Sequence, residues 1–156
     1  MLKITICALG HKMPQWVDTG CKELAKRLER KIQVEWTELP LIKRTDASKL
    51  SQILEKEYQM MLDSIPAKAH IICLDAKGKN FTSEGLAHRM DELQHLHSHW
   101  CILIGGPEGL HPNLKNKCHE MWSLSALTFP HPMVRLILIE SLYRSWCILN
   151  NHPYHK

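Results

Sequence analysis

The run Cys101-Ile102-Leu103-Ile104-Gly105-Gly106-Pro107-Glu108-Gly109-Leu110 passes from apolar residues straight into three glycines and a proline. A buried strand feeding a glycine turn is how many α/β proteins hold a phosphate or a nucleotide. The intervals between Gly105, Gly106 and Gly109 fit neither G-x-G-x-x-G nor a Walker loop, and the chain has no G-x-S-x-G elbow. Glycines outside those patterns either let a ligand lie flat against bare backbone or simply reverse the chain. The spacing leaves the two readings equal.

Other stretches carry reactive groups. The loop Ser123–Pro132, SLSALTFPHP, offers hydroxyls and amides to a polar ligand, or is a plain lead into a helix with Pro132 at its first position. His95, His97 and His99 crowd into HLHSH, but no cysteine or carboxylate stands in register, and a closed zinc site needs four ligands. No metal is expected. The end of the chain, NNHPYHK, places His152, Tyr154, His155 and Lys156 where chains usually fray, and these groups suit stacking on RNA. Cys7, Cys21, Cys73, Cys101, Cys118 and Cys147 form no C-x-x-C pair, so reduced, buried thiols are expected.

The elements that must position these groups follow from periodicity. Residues 2–9 alternate as a first strand, and after Pro14 the apolar Val17, Cys21, Leu24 and Leu28 form one helical face. Residues 32–39 alternate again until Pro40, and a second helix carries Leu50, Ile53, Leu54, Tyr58, Met61 and Leu62. Residues 70–78 read as a short buried strand stopped by Asp75 and Gly78, with Thr82 or Ser83 capping the next helix. A strand at 100–104 follows, then a short helix from Pro112, an extended or looped stretch at 123–129, and a last helix to about Leu149. That helix is apolar nearly all round, which requires burial on more than one side and favours a dimer interface.

Alternating strands and helices indicate an α/β fold, a mostly parallel sheet with helices on both faces, in a single domain over residues 1–156. Ligands in such folds sit beyond the carboxyl ends of the strands, and LDAKGK, GGPEGL and SLSALTFPHP all fall there. The net charge of +4 permits an anionic partner without demanding one. No run is long enough to span a membrane and no cleavable leader is evident, so a cytoplasmic protein is expected.

Taken together, GHKMPQWVDTG, LDAKGK, LIGGPEGL, WSLSALTFPHPMVRLILIESLYRSW and NHPYHK resemble the RlmH family, small SPOUT-class methyltransferases of large-subunit ribosomal RNA. The resemblance spans Met1 to Lys156. It implies a C-terminal trefoil knot, a feature nearly absent from proteins, and a homodimer whose partner completes the site. It implies S-adenosylmethionine held by Leu74, Gly105, Gly106, Ser125, Ala126, Leu127, Thr128, Phe129 and Pro130. The implied reaction is methylation of N3 of a pseudouridine in a 23S rRNA hairpin loop, on the assembled ribosome. Methyl transfer from a sulfonium needs no metal, but the N3 proton must leave, which a general base assists. Candidates for substrate positioning or proton transfer are His131, Arg144, Tyr154 and His155. A ribosome-associated binding protein of the same fold, without catalysis, is the alternative.

Overall fold

The computed structural model describes all residues, Met1–Lys156. Five strands, β1 (Leu2–Leu9), β2 (Ile32–Leu39), β3 (His70–Asn80), β4 (His99–Ile104) and β5 (Glu120–Ser123), form one sheet in the order β2-β1-β4-β3-β5. Every pairing between them is parallel. The helices are α1 (Gln15–Leu28), α2 (Leu50–Ser64), α3 (Ser83–Leu96), α4 (Pro112–Lys115) and α5 (His131–Leu149), with a short 3-10 turn at Ala47–Lys49.

The period of two along β1 divides the core. Ile4, Ile6 and Ala8 point to a layer with Val17, Cys21 and Leu28 of α1, Leu86, Met90 and Leu93 of α3, and Leu138, Ile139 and Leu142 of α5. Cys7 and Leu9 point the other way, to Met61 of α2, Leu110 and Leu114. Helices therefore cover both faces, as a parallel sheet requires. The apolar surround of α5 is largely used within the chain: one side meets the sheet, and others meet α1 and α3.

The boundaries depart from the sequence reading at three places. β3 does not end at Asp75 and Gly78. Leu74 and Lys79 both stand opposite Trp122, so Asp75–Gly78 bulge out and the strand resumes to Asn80. The stretch 123–129 contributes only Ser123 to a strand, because β5 starts earlier at Glu120. The last helix starts at His131 after the cap Pro130, placing Pro132 second.

The expectation of six free thiols also needs correction. Cys73 of β3 and Cys118, which precedes β5, are joined, their Cα atoms 6.0 Å apart, within the span a disulfide bridges. The other four are free and buried, and burial pushes the thiols of Cys21 and Cys101 up to about 11 and about 12. These are packing residues, not nucleophiles.

At the amino ends of the strands the histidines form no ligand set. His70 stacks between His97 and His119, at 4.4 and 4.8 Å between ring centroids, and its Nε2–H donates to Glu120 at 2.6 Å. His95 lies on the Asp91 carbonyl, while His99 meets the Thr5 hydroxyl. Burial lowers the His70 pKa from 6.5, opposed by Glu120 and reinforced by the two neighbouring imidazoles. The folded state thus binds the proton less tightly than the unfolded chain, so stability is full above 6.5 and lost as pH falls through the folded value. Thermal melts should show the midpoint falling below that pH, with a shallower fall in His70→Asn; an equal slope in the variant would refute the assignment.

Candidate functional site

Beyond the carboxyl ends of β1, β3, β4 and β5 lies a cavity of about 1040 Å³, near the upper end of small-molecule sites. The strand order reverses direction between β1 and β4, and such switch points are where parallel sheets open a crevice. One wall is the β3 bulge, which turns Asp75, Ala76 and Lys77 toward the opening. Asp75 is fixed by Lys115 at 2.8 Å and accepts from the Lys77 amide. Those bonds hold its carboxyl below the ordinary value against the opposing effect of burial.

A second wall is the glycine turn. The Gly109 amide donates to the Gly106 carbonyl at 2.9 Å, closing Gly106-Pro107-Glu108-Gly109, with Pro107 preset for its position and Gly109 at φ +78°. A Cβ on Gly105 would stand 2.5 Å from the Gly109 carbonyl carbon and 2.7 Å from the Leu110 nitrogen. The turn therefore folds back on bare backbone at Gly105. That reason alone would account for the residue whatever the cavity binds.

The third wall is the loop after β5. Ser123 Oγ donates to the Ser125 carbonyl, and the Ser125 hydroxyl accepts from the Leu127 amide. Leu74, Gly105, Gly106, Ser125, Leu127, Thr128 and Phe129 line the cavity; Ala126 and Pro130 do not. His131 lines it as well. The segment Gly10–Met13, Leu41 and Lys115 also line it, and sequence reasoning gave them no role. Gly10–Met13 follows β1 at the switch point, whose place is known only once the strand order is.

His131 is held by the residue one turn further along its helix. Arg135 Nε donates to its Nε2 at 3.1 Å. Burial and the Arg135 charge lower its pKa, so near neutral pH it is an uncharged imidazole. Its acceptor nitrogen is already occupied. It orients the cavity wall and is not free to take a proton while that bond stands.

Arg144, Tyr154 and His155 lie elsewhere, on the far side of the Trp122–Leu124 segment, which lines both this cavity and a smaller cleft containing Arg144. Arg144 grips Glu140 through Nε and Nη2, at 3.0 and 2.7 Å, and Tyr154 donates to the same oxygen at 2.9 Å. His155 bonds Glu84 through Nε2 and accepts from Arg144 through Nδ1. The tail is thus docked on α3 and α5. Burial, then Glu140, raises the Tyr154 pKa, which keeps the phenol a donor.

The sequence model of a family described as "Predicted SPOUT methyltransferase" matches residues 2–155. A Legionella pneumophila (strain Paris) protein named "Ribosomal RNA large subunit methyltransferase H" is 55% identical over 156 residues, covering all of both chains. A Dichelobacter nodosus (strain VCS1703A) protein of the same name is 43% identical over 155 residues, 99% of each. Among solved structures, a probable methylase family protein from Haemophilus influenzae Rd KW20 superposes with a TM-score of 0.56. At 15% identity over 99% of this chain and 70% of that one, it shows likeness of fold.

The glycine turn yields a paired test. Gly105→Ala should lose about 1–3 kcal/mol in urea denaturation, because backbone must move. Gly106→Ala meets only side-chain ends, Leu41 Cδ1 at 3.1 Å with Leu9 Cδ1 and Arg44 Nη2 at ordinary contact distance, and should cost far less. Equal losses at the two positions would contradict the packing.

Proposed function

The chain belongs to the SPOUT methyltransferase family, and from that premise we propose that it methylates large-subunit ribosomal RNA, using S-adenosylmethionine as methyl donor. The target in this reading is N3 of a pseudouridine in a 23S rRNA hairpin loop, reached on the assembled ribosome in the cytoplasm. The observation that carries it is the convergence of Leu74, the Gly105–Gly106 edge, Ser125 and residues 127–129 on one large cavity. The full-length relatives named for ribosomal RNA support the substrate class.

The residues fit such a ligand. No G-x-G-x-x-G or Walker pattern equips the turn for phosphate, and S-adenosylmethionine carries none. The apolar Leu74, Ile104 and Phe129 suit the flat purine, while the amides and hydroxyls of Ser125 and Thr128 suit its polar parts. When bound, the cofactor supplies an electrophilic methyl group. The chain supplies alignment, which accounts for much of the rate in such transfers. Ala126 and Pro130 belong to this wall only as backbone neighbours of the residues that line it.

Arg144, Tyr154 and His155 are proposed to position the substrate; the one Tyr154 hydroxyl proton is given to Glu140, so the phenol oxygen faces a substrate as an acceptor. Their distance from the cavity wall accords with a homodimer in which each tail serves the other subunit's site. Leu127 at the cavity rim is 73% exposed and Trp16 of α1 is 56% exposed, apolar surfaces suited to a second copy. The knot belongs to the same proposal: β5 lies beyond β3, on the side away from β4, so the chain must cross β3 before entering α5. No helix is long and apolar enough to cross a membrane.

Mass spectrometry of 23S rRNA from cells with and without the protein should differ by one methyl group at a pseudouridine. Identical spectra would overturn the function, and failure to bind S-adenosylmethionine in calorimetry would favour a non-catalytic ribosome-binding role. Removing residues 152–156 should leave methyl-donor affinity within about twofold while lowering ribosome methylation by about 10²-fold or more. Full activity of the shortened chain would remove the tail from the mechanism.

A further inference from the structure

Glu57 lies on α2 with only 2% of its surface exposed. A carboxylate so placed is tolerated only when paired and hydrogen-bonded. Its partner comes from the loop between β2 and the 3-10 turn. Arg44 Nη1 and Nη2 each donate to one oxygen of Glu57, both at 2.6 Å, while the Ile42 amide donates to Glu57 at 3.0 Å. Arg44 then forks a second time. Nε and Nη2 donate to the two oxygens of Glu108, at 3.3 and 2.8 Å, and Nη1 also reaches the Ile42 carbonyl. These bonds match the five donors of a guanidinium.

One arginine thus ties α2, the loop at 40–46 and the tip of the glycine turn. Glu108 does not line the cavity, but its neighbours Pro107 and Gly109 do. The same loop sends Leu41 into the cavity lining, and Leu41 Cδ1 and Arg44 Nη2 stand 3.1 and 3.7 Å from where a Gly106 Cβ would be. The bare α-carbon of Gly106 therefore seats the loop as well as facing the cavity. Nothing else described in the site explains why a buried carboxylate was placed beneath that loop.

We propose that Arg44, anchored by Glu57, is a positioning residue for the methyl donor: through Glu108 and Leu41 it fixes the glycine turn and the outer wall in the shape the bound donor requires. The proposal rests on reading the cavity as the S-adenosylmethionine site. A wall ordered in advance need not be ordered on binding, so the contribution falls on affinity and leaves the methyl-transfer step alone. Two forks from one guanidinium also set orientation, which a lysine ammonium cannot reproduce.

The test uses the full chain, calorimetry with S-adenosylmethionine, and methylation kinetics on ribosomes lacking the modification. Glu108→Gln keeps the Arg44–Glu57 fork and weakens the link to the turn. Donor affinity should fall about tenfold, carried by KM for the donor and not by kcat, with Tm within about 3 °C of wild type. Arg44→Lys should fall in the same direction and further, and the penalties of the two changes should not add in the double variant. Wild-type affinity in Glu108→Gln, or a loss of Tm with affinity unchanged, overturns the positioning role while leaving the cofactor reading intact. Wild-type protein that binds no S-adenosylmethionine removes both.

Discussion

A buried guanidinium is stable only where its donors meet acceptors and its charge meets a carboxylate, and Arg135 at 3% exposure imposes that condition on this fold. Nη1 reaches Glu38 at the end of β2, Nη2 reaches the Gly10 carbonyl just past β1, and Nε reaches His131 at the start of α5. The plane also lies over Trp36, 5.6 Å from the ring centroid. Two adjacent strand ends and the first turn of the last helix are therefore one rigid unit. The cavity opens beside that unit, and its Gly10 and His131 walls inherit their placement from it.

The same logic recurs at Arg44. Both arginines gather acceptors from segments far apart in sequence, and both act at the carboxyl ends of the strands, where parallel sheets leave carbonyls and loops without ladder partners. At the amino ends the arrangement is different. Arg89 and His70 share Glu120, holding that carboxyl down to about 2, and stacked imidazoles fill the rest. One end of the sheet is open and clamped by cations around a void; the other is closed.

Much of this was legible in the sequence because it depends on local periodicity. Alternation at 2–9 and 32–39 and helical spacing at 17–28 gave the first elements to within two residues. The three loops at the strand ends were identifiable because glycine, serine and proline cluster there, and the structure brings all three to one cavity. What depends on sequence-distant pairing was not legible. The β3 bulge exists only relative to Trp122 on β5, and the Cys73–Cys118 link spans 45 residues with no motif to announce it. Glu57 and Arg135 look like ordinary surface charges on their helices until the loops beneath which they lie are in place. Gly10–Met13 went unassigned because the strand order, and so the switch point, is a property of the assembled sheet.

The bulge at Asp75–Gly78 separates two demands that usually conflict in a strand. Since Leu74 and Lys79 both face Trp122, the four residues between them carry no ladder register. Gly78 is fixed, since a Cβ there would stand 2.7 Å from the Trp122 carbonyl carbon, but Asp75, Ala76 and Lys77 face the cavity and can change with the chemistry of whatever enters it while the hydrogen-bonded frame stays as it is. The sheet's central region is thus conservative by geometry, and this one excursion is where selection can alter recognition with least disturbance to folding.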